Sequence, residues 1–166
     1  METRRVARAV ILVAIGVALS PFTSIPIGIA KINPSQHFVN VIGAILLGPW
    51  WATGIAMVIG ILRNSLGTGT LLAFPGGMIG AFLAGVMYRY TRNLYLGALG
   101  EIVGTGIFGA LLSAWIVAPI FMGKKMALAA LIITFLGSTL LGSIIGIFAL
   151  RLLERAGFTK LKSNGV

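Results

Sequence analysis

The sequence predicts an all-α membrane protein, a six-transmembrane-helix bundle with both termini cytoplasmic. Three observations carry this. Of the 166 residues, 58% are hydrophobic and only 10% are charged, against about a quarter charged in soluble domains, so the chain lacks the polar surface to meet water on all sides. The apolar residues fall into runs, and only a helix or a closed barrel satisfies every backbone group inside hydrocarbon. The basic residues sit at the ends of those runs and favour one side, as the positive-inside rule requires.

Six runs can be drawn, over roughly 7–30, 36–48, 50–62, 75–88, 94–119 and 126–150. The first follows Arg4, Arg5 and Arg8 and has the look of a signal peptide. Its small-residue exit, Ala18-Leu19-Ser20, runs directly into Pro21, which disfavours cleavage, so the segment is expected to remain as the first helix. The second, third and fourth runs are shorter than the ~20 residues a crossing helix needs. Residues 38–62 could instead form one ordinary span, leaving five. Charge separates the two. With six spans and the N-terminus inside, Arg4, Arg5, Arg8, Arg89, Arg92, Arg151, Arg155, Lys160 and Lys162 are cytoplasmic, against Lys31, Arg63, Lys124 and Lys125 outside. Five spans would leave six basic residues inside and seven outside, which the positive-inside rule disfavours. The Gly48-Pro49 break also suits a tight cytoplasmic turn better than a helix centre.

Short helices at membrane depth must be shielded by protein or line a cavity, and interrupted segments point to a transport site. Here the interruptions cluster on the outer side, in the first loop (Ile25 to Pro34) and the third (Arg63 to Gly77). These are expected to form the mouth of an outward-facing pocket. One domain over 1–155 and a short basic tail over 156–166 account for the whole chain. Ladders of small residues spaced by four, Gly77/Ala81/Gly85, Gly100/Gly104 and Ser138/Gly142/Gly146, predict close internal helix contacts. Ala14/Ala18 on the first helix is a candidate face for docking a second membrane protein.

The net charge of +10 does not indicate nucleic acid, because the basic residues form no stripe with interleaved aromatics. There is no cysteine, hence no thiol nucleophile or Cys metal site. No phosphate-loop motif is present, and Gly67-Thr68-Gly69-Thr70 lacks the lysine, so the chain is not expected to cradle ATP itself. An intramembrane hydrolase needs a nucleophile, a base and an orienting group. The chain has one histidine, His37, and three acids, Glu2, Glu101 and Glu154, and no nucleophile elbow. That inventory is also too small for a metal site. Neither an enzyme nor a metal or cofactor is expected.

The remaining polar groups define a candidate binding site. Gln36, His37 and Asn40 open the second helix, with 36 and 40 one turn apart and 37 and 40 on a shared face. Arg63 and Asn64 end the third helix as a donor pair at the pocket rim, followed by Thr70 and Phe74 in and after the third loop. Arg63 could equally be an interfacial anchor reaching the headgroups. Glu101 is the acid inside an apolar run and needs a partner or a proton. Arg89 and Arg92 are the nearest expected partners and Arg63 a more distant one. Trp115, with Phe74 and Phe38, offers an aromatic face near the outer level. Trp50 and Trp51 fall at the cytoplasmic turn as belt residues.

Four stretches carry a resemblance: Pro34-Ser35-Gln36-His37-Phe38-Val39-Asn40-Val41-Ile42, Leu47-Gly48-Pro49-Trp50, Arg63-Asn64-Ser65-Leu66-Gly67-Thr68-Gly69-Thr70 and Leu72-Ala73-Phe74-Pro75-Gly76. Over residues 1 to about 155 the chain resembles the ThiW family, substrate-binding S components of energy-coupling-factor (ECF) vitamin transporters in prokaryotic cytoplasmic membranes. The resemblance implies six helices, cytoplasmic ends and an outward-facing pocket lidded by the first loop. It implies a transmembrane coupling subunit and two ATPases as partners, met through an Ala-x-x-x-Ala face that Ala14/Ala18 fits. It also implies a thiazole alcohol, hydroxyethylthiazole, as substrate. The alternative is a self-sufficient facilitator or proton-coupled carrier with Glu101 as the proton relay.

Overall fold

A computed structural model of the chain describes residues 2–27, 30–159 and 161. Met1, then Gly28 and Ile29 of the first loop, and Lys160 and residues 162–166 of the basic tail, lie outside the described residues. Six helices run in chain order: α1 (Glu2–Thr23), α2 (Pro34–Leu47), α3 (Pro49–Ser65), α4 (Ala73–Thr91), α5 (Leu94–Phe121) and α6 (Leu128–Arg155). Three of them, α1, α5 and α6, are long and apolar enough to cross a membrane.

The sequence expectation of an unbroken first run to residue 30 is corrected. α1 stops at Thr23, and an antiparallel ribbon of β1 (Ile25–Ile27) and β2 (Ala30–Ile32) follows, pairing Ile25 with Ile32, Pro26 with Lys31 and Ile27 with Ala30. Pro26 removes a helical donor and pushes Ile25 out of the α region. Flanking β-branched residues then favour extended backbone. The chain is therefore not purely helical. Pro34 restarts the helix at its first turn, where a missing N–H costs nothing.

At the other end of α2, Gly48 has φ +92° and joins α2 to α3. That conformation is open to glycine and strained for other residues, so the expected break at Gly48-Pro49 is a tight turn. α2 has 14 residues, about 21 Å at 1.5 Å per residue, well short of the ~30 Å hydrocarbon thickness. Its first turn follows directly on the ribbon.

α4 packs against α2, α3 and α5, and α6 covers α2 and α5. α1 leans on α2 and α3, with only 17% of its most apolar stretch buried against 44% for α5 and 39% for α6. Glycine sets the closest approaches. A methyl on Gly109 would lie 2.3 Å from Gly76 Cα, one on Gly104 2.6 Å from Gly80 Cα, and one on Gly142 2.6 Å from His37 Cβ. The small-residue ladders are thus helix contacts, and the face Gly76/Gly80 of α4 extends the one read from the sequence. Within α5 the hydrogen-bond ladder widens to π-helical turns over Gly104–Gly109 and Ser113–Phe121.

This packing makes a paired prediction. Gly109→Ala forces α4 and α5 apart and should destabilise the protein by about 1–3 kcal/mol. Gly54→Ala, where no atom lies within 4 Å, should be neutral or stabilising by up to ~1 kcal/mol through helix propensity. Thermal unfolding in detergent reads both. Equal midpoints would show that the α4–α5 approach is not close.

Candidate functional site

Glu101 is wholly buried, at 0% exposure, and three side chains converge on its Oε1. His37 Nδ1 from α2 lies 2.8 Å away, Asn40 Nδ2 donates from 3.0 Å, and Thr105 Oγ1, one turn along α5, lies 3.1 Å away. Asn40 also donates to Gly77 O of α4 at 3.0 Å, and Thr105 to Gly76 O at 2.8 Å. The carboxylate, two side chains and two backbone carbonyls thereby tie α2, α4 and α5 together. Glycine is required where α4 meets this knot. A methyl on Gly80 would lie 2.1 Å from Thr105 Oγ1 and 2.7 Å from Glu101 Oε2, and one on Gly77 2.2 Å from Gln36 Nε2.

The expected pairing of Glu101 with Arg89 or Arg92 is corrected. Both arginines are exposed at the end of α4, with Arg92 capping it at φ +54°. The reason is depth. Glu101 stands seven residues into α5, about 10 Å, and His37 ten residues from the end of α2, about 15 Å. The two therefore meet in the first turn of α2 and about two turns along α5, away from the C-terminal end of α4 that carries the arginines.

Arg63 is also buried, at 3% exposure, so it is not a snorkelling anchor. Its Nη1 donates to Gln36 Oε1 and its Nη2 to Thr68 O at 3.4 Å, while its backbone carbonyl accepts from the Thr68 and Gly69 amides, each at 2.9 Å. Asn64 Nδ2 donates to Gly60 O at 2.8 Å and Thr70 O at 3.5 Å. Asn64 therefore shapes the third loop. Phe74 packs over Gly60, its ring 3.1 Å from where a methyl would stand.

Between these groups and the ribbon lies a cavity lined by Gln36, His37, Arg63 and Thr70, together with Lys31, Asn33, Ala73, Thr105, Phe135 and Ser138. Its volume is about 20 Å³, enough for one water and far too small for a heteroaromatic ring. A larger guest requires the cover to move. That cover is fastened by Asn33, whose Nδ2 donates to Ser20 O at 3.1 Å and Ser20 Oγ at 2.9 Å and whose amide donates to Ser138 Oγ at 2.8 Å. Lys31 Nζ also donates to Gly67 O at 3.3 Å and links the first loop to the third.

The structure thus brings Gln36, His37, Arg63 and Thr70 to one cavity and sets Asn40 and Glu101 directly behind them. Trp115 is not part of it, being 67% exposed. Fourteen positions after Glu101, it would share that residue's face on a regular helix. The π-helical turns between them change the phase. Lys31, Asn33, Thr105 and Ser138 were not anticipated. Thr105 had a legible signal, sitting four residues after the one acid in an apolar run, whereas Lys31, Asn33 and Ser138 are joined only by the fold. Ala14 and Ala18 are both exposed on α1.

Two comparisons bear on this arrangement. A family model described as thiamine-precursor transporter protein (ThiW) matches residues 6–156. The solved structure of the S component of a bacterial ECF transporter superposes with a TM-score of 0.77 at 21% identity, covering 98% of this chain and 100% of that one, which is a likeness of fold. No curated protein matches the sequence.

The fastening of the cover gives a prediction. Asn33→Ala removes both side-chain bonds to Ser20 and should weaken the local fold by about 1–3 kcal/mol. Amide hydrogen exchange in Ile25, Ile27 and Ala30–Ile32 should then quicken by about tenfold or more. Unchanged exchange would mean that the ribbon is held by other contacts.

Proposed function

Because the chain belongs to the ThiW family of thiamine-precursor transporter proteins, and is accordingly a transporter and not an enzyme, we propose that it is the substrate-binding S component of an ECF importer for hydroxyethylthiazole. The observation that carries this reading is the cavity of Gln36, His37, Arg63 and Thr70, built between the first turn of α2, the end of α3 and the ribbon. A small neutral heteroaromatic alcohol offers a hydroxyl, a ring nitrogen and an apolar ring. It needs a few directed polar partners in a mostly apolar pocket, which this inventory supplies.

In this reading all six helices of a single domain over 1–155 cross the cytoplasmic membrane of a prokaryote. Both ends, and the basic tail over 156–166, are cytoplasmic. The nine-to-four division of basic residues supports that orientation, and it places the ribbon and third loop outside, as a lid over the pocket. Energy comes from partner chains, a coupling subunit and two ATPases. The exposed pair Ala14/Ala18, on the least buried helix, supports docking there. Small side chains permit close helix approach in lipid, where packing rather than hydrophobicity drives association.

The hydrogen bond between His37 and Glu101 favours a second reading, a proton-coupled carrier acting alone, because membrane-buried His and acidic groups form proton relays. Uptake into vesicles distinguishes them. Co-reconstituted with its coupling module, the protein should import hydroxyethylthiazole only when ATP is supplied to the ATPases. Ala14→Trp and Ala18→Trp should abolish uptake and co-purification with the coupling subunit while leaving ligand affinity unchanged. Uptake by the chain alone, driven by a proton gradient, would establish the carrier instead.

A further inference from the structure

His37 has two ring nitrogens, and the structure treats them differently. Nδ1 faces Glu101 Oε1 at 2.8 Å. Nε2 makes no hydrogen bond to a described residue and is not among the buried polar atoms left without a partner, so on a cavity-lining residue it is the nitrogen open to the cavity. The other groups at Oε1 fix what this oxygen does. Asn40 Nδ2 can only donate, and its orientation is set by a second acceptor, Gly77 O. Thr105 Oγ1 approaches the same oxygen. An ionised carboxylate accepts and cannot donate. The proton between His37 and Glu101 then resides on Nδ1, and in the neutral ring Nε2 carries a lone pair.

We propose that Glu101 is a positioning residue that holds His37 as the Nδ1–H tautomer, so that Nε2 accepts a hydrogen bond from the ligand and the site selects a free hydroxyl over its ether or phosphate ester. The rest of the cavity makes this acceptor valuable. Arg63 and Lys31 are donors only. Gln36 Oε1 is already taken by Arg63. Arg63, a donor lining the cavity, is suited to a ring nitrogen. A heteroaromatic alcohol fits one donor and one acceptor at once, whereas its ether has no proton to give Nε2. A phosphate ester, though attracted by Arg63 and Lys31, would bring a second anion close to Glu101, whose Oε2 is buried with no partner.

The inference rests on the cavity being the ligand site, and the experiment separates the two. The chain has a single histidine, so the full-length protein labelled with ¹⁵N-histidine in detergent gives one imidazole spectrum. Without added ligand, Nδ1 should show the shift of a protonated ring nitrogen and Nε2 that of an unprotonated one. An Nε2–H tautomer or an imidazolium overturns the inference, whether or not ligand binds. Hydroxyethylthiazole should then move the Nε2 resonance and bind about tenfold or more tightly than its O-methyl ether or its phosphate ester. Equal affinity for alcohol and ether, or a phosphate ester that binds better, overturns the selection. If the Nδ1–H tautomer is present but the alcohol does not bind, the site assignment fails and the selection falls with it. Glu101→Gln offers an amide that can donate as well as accept, so both tautomers should appear and the preference for alcohol over ether should shrink. A folded variant with the preference intact contradicts a positioning role. If that variant does not fold, the wild-type spectrum and affinities still decide.

Discussion

A carboxylate inside hydrocarbon has to be satisfied by its neighbours, and in this protein the neighbours of Glu101 dictate the bundle. Its donors come from another helix, from His37 and Asn40 of α2. A second bond from Asn40 to Gly77 O, and one from the neighbouring Thr105 to Gly76 O, carry the network into α4. That demand explains the glycines. Any side chain at Gly77 or Gly80 would occupy the space of the polar groups themselves.

The N-terminal end of α2 leaves backbone to be covered. The ribbon β1–β2 and the third loop provide that cover. The ribbon satisfies its own backbone by pairing, and Asn33 clips its end to α1 and α6. In the third loop, the Arg63 carbonyl gathers the Thr68 and Gly69 amides, and Gly67 turns the chain at φ +70°. These contacts are polar, local and few, in contrast to the close glycine packing below them. A guest larger than the cavity's volume of about 20 Å³ would have to displace these few polar contacts rather than the glycine packing below them.

Much of this was legible in the sequence. Run boundaries, the Gly48-Pro49 turn and the small-residue ladders follow from rules local to one segment. Gln36, His37, Arg63 and Thr70 were found because polar residues at the ends of apolar runs stand out. What was not legible depends on where segments meet. The partner of Glu101 lies 64 positions away, and arginines nearer in sequence were the natural expectation. The run to residue 30 failed on composition alone, since Pro26 among isoleucines is apolar yet cannot stay helical. Trp115 was chosen for its level along the chain, which leaves open the side of α5 it faces, and the π-helical turns before it decide that side.

The central claim is that this polar knot forms the floor of a cavity that opens outward and closes over a thiazole alcohol. Thr70 lines that cavity, and the chain has no cysteine of its own, so Thr70→Cys places a single thiol at the mouth. In intact cells or oriented vesicles, a membrane-impermeant thiol reagent applied from outside should label it, and saturating hydroxyethylthiazole should slow that labelling by about tenfold or more. Labelling only from the cytoplasmic side, or a rate indifferent to the ligand, would contradict the account.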